Sequence, residues 1–78
     1  MNMFKGKKIL ITGGTGSLGK ALAKRLLELD ADIVRIFSRN ENNQTTMESE
    51  FDDDRLRYFI GDVRDLPRLI KAMEDVDI

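Results

Sequence analysis

The spacing of apolar positions changes from one stretch of this chain to the next, and the changes mark its elements. Ile9, Leu10 and Ile11 follow Lys7 and Lys8 as a short unbroken apolar run, the pattern of a strand buried on both faces. A glycine-rich turn runs from Thr12 to Gly19, and Leu18, Leu22, Leu26 and Leu29 then recur at helical spacing. The pattern predicts a strand from Lys8 to Thr12 and a helix from Ser17 to Leu29. Ile33, Val34, Ile36 and Phe37 form a second β-rich run, broken by Arg35, which suits a strand near a sheet edge or one whose end reaches solvent.

The stretch from Asn40 to Asp54 is polar and carries no clear period, although Met47 and Phe51 lie four apart and are compatible with a short helix. Arg55 to Ile60 reads as a third strand. Asp65 is placed to cap a third helix with Pro67 in its first turn, and Leu66, Leu69, Ile70 and Met73 form its expected apolar stripe. Val76, Asp77 and Ile78 look like the start of a fourth strand, and Met1 to Gly6 like a lead-in.

The resulting order is βαβαβα. Such alternation implies a parallel sheet with right-handed crossovers and strand order 3-2-1. The expected fold class is α/β, an NAD(P)-binding Rossmann-like domain, with residues 1–78 forming the N-terminal half of a doubly wound sheet. In that arrangement the first strand has little beside it but Val76 to Ile78. It is apolar on both faces and has neither proline nor inward charge to protect it, so self-association through it is expected. The most economical form is a two-fold dimer with the first strands antiparallel.

Composition narrows the chemistry. Seventy-eight residues make one small domain, which buries only about 60–65% of its unfolded surface and is marginally stable. Thirteen basic residues against fourteen acidic ones predict neither a nucleic-acid surface nor a polybasic membrane patch. The absence of cysteine and histidine removes disulfides, thiolate zinc sites, histidine bases and Ser–His–Asp triads from this stretch. Asp52, Asp53 and Asp54 read as a solvated loop, since no further ligands recur at a useful spacing. With no signal-peptide core and no spanning apolar segment, the expected setting is soluble and cytoplasmic.

The glycines carry the strongest chemical signal. Gly13, Gly16 and Gly19 stand at G-x-x-G-x-x-G spacing between a strand and a helix. That context calls for a tight turn, backbone within contact distance of a diphosphate, and close packing of helix on strand. The first amides of the helix and the positive end of its dipole then face an anion. A competing motif overlaps: Gly14, Gly19 and Lys20 satisfy most of a P-loop, with Asp62 placed as a magnesium-binding acid. The next position is Ala21, however, where a P-loop needs a hydroxyl for Mg²⁺. Dinucleotide binding is the preferred reading.

Residues just past the second strand meet the adenosine ribose in this fold, and an acid there favours NAD. Here they are Ser38, Arg39 and Asn40, a pair compatible with a 2′-phosphate followed by an amide. Glu41 stands one position further on and is the candidate for a ribose hydroxyl instead. Gly61, Asp62 and Val63 close the third strand, where Asp62 either accepts from an adenine amine or caps the local turn, and Val63 would cover the ring.

Taken together, ILITGGTGSLGKAL, IFSRNE and RYFIGDVRD at these separations resemble the extended short-chain dehydrogenase/reductases. Within them the chain is similar to the UDP-N-acetylglucosamine 4,6-dehydratases and related bacterial polysaccharide-biosynthesis proteins, over essentially its whole length. The resemblance implies an NADP-dependent lyase that removes hydride from C4 of a UDP-linked amino sugar, eliminates water across C5 and C6, and returns the hydride at C6. It carries cofactor contacts onto Gly13, Thr15, Gly16, Ser17, Leu18, Ser38, Arg39, Asp62 and Val63, with no metal and with NAD as the other possible cofactor. One position departs from the family: the lysine common four residues after the arginine is Asn43 here. The Tyr-x-x-x-Lys catalytic pair is also absent, because Tyr58, the only tyrosine, has Asp62 at the lysine position. The expected role is therefore cofactor binding without catalysis by this chain alone. The other readings are a P-loop-like nucleotide-binding fragment and a self-associating module with no ligand.

Overall fold

The computed structural model describes residues 3–13 and 16–78. Three strands, β1 (Lys8–Thr12), β2 (Ile33–Ser38) and β3 (Leu56–Ile60), alternate with three helices, α1 (Ser17–Glu28), α2 (Glu41–Phe51) and α3 (Leu66–Ala72). The strands pair in parallel in the order β1-β2-β3, with Ile9 opposite Val34 and Val34 opposite Leu56. The α/β fold and the strand order read from the sequence are both present.

Alternation along the strands divides the sheet into two faces. One face presents Ile9, Ile11, Val34, Ile36 and Leu56, with Tyr58 packed beside them. It is covered by Ala23, Leu26 and Leu27 of α1 and by Met47 of α2, forming the main core. Arg55 ties this layer together: its guanidinium grips Asp53 at 2.8 Å and donates to the Leu27 carbonyl at the end of α1. Part of the acidic run is thus structural, and the Arg55 contact holds the Asp53 carboxyl below its usual range.

The helix α2 packs Met47 and Phe51 on the core as the sequence suggested, but α1 and α3 do not bury the full stripes expected of them. The inward set of α1 is Gly19, Ala23, Leu26 and Leu27, whereas Leu18 is 82% exposed and Leu22 also faces out. Glycine and alanine on the inward face let the helix approach the sheet closely, and that rotation turns the first two leucines of the stripe away. On α3 only Ala72 is buried, while Leu66, Ile70 and Met73 are exposed.

Arg35 is likewise not on an edge, because β2 is the middle strand. Its charge is accommodated by the opposite face of the sheet, where it donates to the carbonyls of Ala72 and Glu74 at the end of α3. The guanidinium also lies over the Phe59 ring, 5.7 Å from its centre. A cation at a helix C-terminus offsets the exposed carbonyls and the negative end of the dipole.

Beside β1, the Ile78 amide donates to the Lys8 carbonyl and the Leu10 amide donates to the Ile78 carbonyl. This is the bonding of a parallel partner. Asp77 adds its carboxylate on the Lys8 amide at 2.9 Å. Asp77 and Ile78 therefore lie beside β1, where the sequence placed them, but the sheet has three strands and Val76 bonds back to Met73 instead. Among the described residues no helix is long and apolar enough to cross a membrane.

Candidate functional site

The carboxyl ends of all three strands converge on one cleft. It has a volume of about 390 Å³ and is lined by Gly13, Phe37, Ser38, Arg39, Gly61, Asp62, Val63 and Arg64. Crevices beyond the carboxyl ends of parallel strands are where ligands bind in open α/β sheets.

Gly13 opens the turn after β1 with φ of +66°, a left-handed conformation that disfavours any side chain, and its amide donates to the Phe37 carbonyl at 2.8 Å. Gly16 is the N-cap of α1, and among the described residues no side chain caps that helix. Among the described residues a Cβ at Gly16 would meet nothing within 4 Å. Gly19 is buried in α1, as close packing requires. Turning and packing are thus taken by Gly13 and Gly19.

At the end of β2, Ser38 is buried and Arg39 is exposed. Asn40 caps α2, its side-chain oxygen accepting from the Asn43 amide at 2.9 Å. At the end of β3, Gly61 packs so tightly that a Cβ there would lie 2.8 Å from the Phe37 ring. Asp62 then turns the chain: its carboxylate accepts from the Arg64 amide at 2.9 Å and pairs with the Arg64 guanidinium at 2.8 Å. Arg39 reaches the same carboxylate at 3.5 Å. The Arg64 hydrogen bonds, with Arg39 adding a smaller contribution, hold the Asp62 carboxyl well below the usual carboxylate range. Asp62 is therefore ionised at neutral pH, and two arginines share one carboxylate at the cleft mouth.

Of the residues expected to bind cofactor, Gly13, Ser38, Arg39, Asp62 and Val63 line the one cleft. Gly16, Ser17 and Leu18 stand at the start of α1, and Thr15 lies outside the described residues, as does Gly14 of the competing P-loop. Lys20, the other P-loop residue, pairs with Glu50 of α2 at 3.5 Å. Asp62 does cap the local turn, the second of its two expected roles. Sequence reasoning passed over Arg64, Phe37 and Gln44. Arg64 had a usable signal, since an arginine two residues after an aspartate can close an Asx turn. Tyr58 lies in β3 with its hydroxyl buried and unpaired among the described residues. Burial raises its pKa.

Comparison with known proteins fits this geometry. The family described as polysaccharide biosynthesis protein matches residues 9–78. This chain belongs to that family. Over 76 residues, covering 96% of the chain, it is 57% identical to a UDP-N-acetylglucosamine 4,6-dehydratase (inverting) of Campylobacter jejuni. Other relatives are named UDP-glucose 4-epimerase. Among solved structures, Pen from Bacillus thuringiensis is 45% identical and superposes with a TM-score of 0.91 over 96% of the chain and 23% of its own. WbmF from Bordetella bronchiseptica, solved with NAD⁺ and UDP, shares the fold at a TM-score of 0.77 and 22% identity, over 99% of this chain and 22% of its own. A short-chain dehydrogenase from Bacillus anthracis, 28% identical, shares the fold too, at a TM-score of 0.79 over 95% of this chain and 31% of its own. The chain spans about a quarter of the length of the curated relatives it matches, 23% of each.

Proposed function

We propose that this chain is the cytoplasmic, NADP-binding N-terminal segment of a nucleotide-sugar 4,6-dehydratase of the UDP-N-acetylglucosamine type, acting in polysaccharide biosynthesis. The observation that carries the reading is the convergence of Gly13, Ser38, Arg39 and Asp62 on one cleft at the carboxyl ends of the strands. The donor set fits a dinucleotide polyanion. The uncapped start of α1, with Gly16, Ser17 and Leu18, would take the diphosphate together with Thr15. Ser38 and Arg39 would take the 2′-phosphate, and Asp62 and Val63 the adenine. The cofactor would supply hydride transfer. Within these 78 residues there is no Tyr-x-x-x-Lys pair, so the part proposed here is binding and orientation of the cofactor. The P-loop alternative is disfavoured by Ala21 and by Lys20 pairing with Glu50.

Titrating NADP⁺, NAD⁺ and Mg²⁺–ATP into the purified chain tests the reading: NADP⁺ is expected to bind most tightly, and tightest binding of Mg²⁺–ATP would overturn it. Gly16→Val sharpens the test. Because a Cβ at Gly16 would meet no other part of the described residues within 4 Å, the variant is expected to keep the circular dichroism and melting temperature of the parent while losing nucleotide affinity. Unchanged affinity in a folded Gly16→Val chain would place the anion elsewhere.

Self-association through β1 is proposed in a narrower form than the sequence suggested. Among the described residues Asp77 and Ile78 bond Lys8 and the Leu10 amide, so the contact proposed for a second copy lies further along β1, from the Leu10 carbonyl to Thr12. Light scattering at micromolar concentration is expected to report a dimer that Thr12→Pro converts to monomer; a parent chain that is monomeric removes this part of the proposal.

A further inference from the structure

Two polar side chains are buried in the described core, Ser38 at 8% exposed and Gln44 at 4%, and they touch each other. The Gln44 side-chain nitrogen lies 2.8 Å from the Phe59 carbonyl oxygen, 3.1 Å from Ser38 Oγ and 3.4 Å from the Ser38 carbonyl oxygen. Backbone carbonyls only accept, so the group facing two of them is the amide NH₂ and not the amide oxygen. One of its hydrogens goes to Phe59. The other is directed at Ser38, where the hydroxyl oxygen is the nearer acceptor.

This fixes the polarity of Ser38. Its hydroxyl oxygen accepts from the protein interior, and no acceptor among the described residues takes the hydroxyl proton. With no such acceptor the proton is free to turn towards the cleft that Ser38 lines beside Arg39. We infer that Gln44 is a positioning residue for cofactor choice: by donating to Ser38 from inside, it presents the hydroxyl outward as a donor suited to a phosphate dianion. A ribose hydroxyl in the same place would bring a weaker, uncharged acceptor. The inference rests on the dinucleotide reading given above and adds to it a residue from the helix behind the site.

The experiment is calorimetric titration of the chain and of Ser38→Ala, Gln44→Met, the double variant and Arg39→Ala with NADP⁺ and with NAD⁺. Gln44→Met keeps the length and bulk of the side chain and removes the amide. It is expected to weaken NADP⁺ binding by about 3- to 10-fold, the loss expected for one hydrogen bond, and to leave NAD⁺ within about twofold. Ser38→Ala should do the same, and the double variant should be no worse than either alone. Equal weakening of both cofactors would make Gln44 merely structural and overturn the inference, as would additive losses in the double variant.

Should Gln44→Met fail to fold, NMR of the parent chain decides. The Gln44 side-chain amide resonances are expected to shift on adding NADP⁺ but not NAD⁺, and the shift should vanish in Ser38→Ala. A Gln44 amide that does not respond to NADP⁺ overturns the inference. Arg39→Ala separates the two levels. If it abolishes the NADP⁺ preference while Gln44→Met keeps it, only the inference fails. If Arg39→Ala keeps the preference, or neither cofactor binds, the site reading fails and the inference with it.

Discussion

Replacing Arg39 with alanine is expected to erase the preference for NADP⁺ over NAD⁺, at a cost of about 1–3 kcal/mol, roughly 5- to 150-fold in affinity, for a charged hydrogen-bonding group. Arg39 is held loosely, being largely exposed and 3.5 Å from Asp62. Exposed pairs of that kind contribute little, so turning towards a phosphate costs the arginine little. Arg64 remains on Asp62 through its backbone amide and its guanidinium, and the carboxylate therefore keeps a partner when Arg39 leaves. The loss should appear only with the 2′-phosphorylated cofactor and should shrink as salt is raised. Titration of both cofactors at two salt concentrations checks it, and an unchanged affinity ratio in Arg39→Ala would show that the 2′-phosphate lies elsewhere.

The largest effect on folding is expected from Phe37→Ala. Phe37 is fully buried, among the largest such side chains in the described core. It stands on the sheet face that Arg35 and Phe59 occupy, its carbonyl accepts from Gly13, and its ring fills the space against Gly61. Truncating a buried phenylalanine costs about 3–5 kcal/mol. A domain of this size has only about 0.05–0.15 kcal/mol of stability per residue. For 78 residues that is about 4–12 kcal/mol, so the variant should lose a large part of its stability, and the cleft should loosen along with the core, since the same residue lines both. Chemical denaturation followed by circular dichroism measures the effect. A midpoint close to that of the parent would show that the helices can close over the cavity.

Much of the architecture is legible in local sequence. The unbroken run at Ile9 to Ile11, the glycine spacing and the βαβαβα order lead directly to the parallel sheet. Ser38, Arg39, Asp62 and Val63 can be placed at the cleft because strand ends are marked by a change from apolar to polar residues. The helices were harder. Leu18 and Leu22 share a spacing with Leu26, yet only Leu26 is buried. Periodicity gives a face with a width of about 100° but not its rotation. The rotation is decided by the small residues Gly19 and Ala23, which only the neighbouring sheet can select. For α3 the apolar stripe names Leu66, Ile70 and Met73, which the described structure leaves exposed, and Leu69, which it half-buries.

Sequence by itself determined the element order and the strand direction. The physical reason is that periodicity, turn chemistry and backbone freedom act within a few residues of one another. Tertiary structure alone decided which charges and hydrogen bonds meet. Arg39 reaches Asp62 across 23 positions, Arg35 reaches Ala72 across 37, and Gln44 reaches Phe59 across 15. No local rule couples residues that far apart. Arg39 and Asp62 meet, while still exposed, because parallel pairing brings strand ends side by side; Arg35 and Gln44 lie further inside, where a polar group must find a partner once water is excluded.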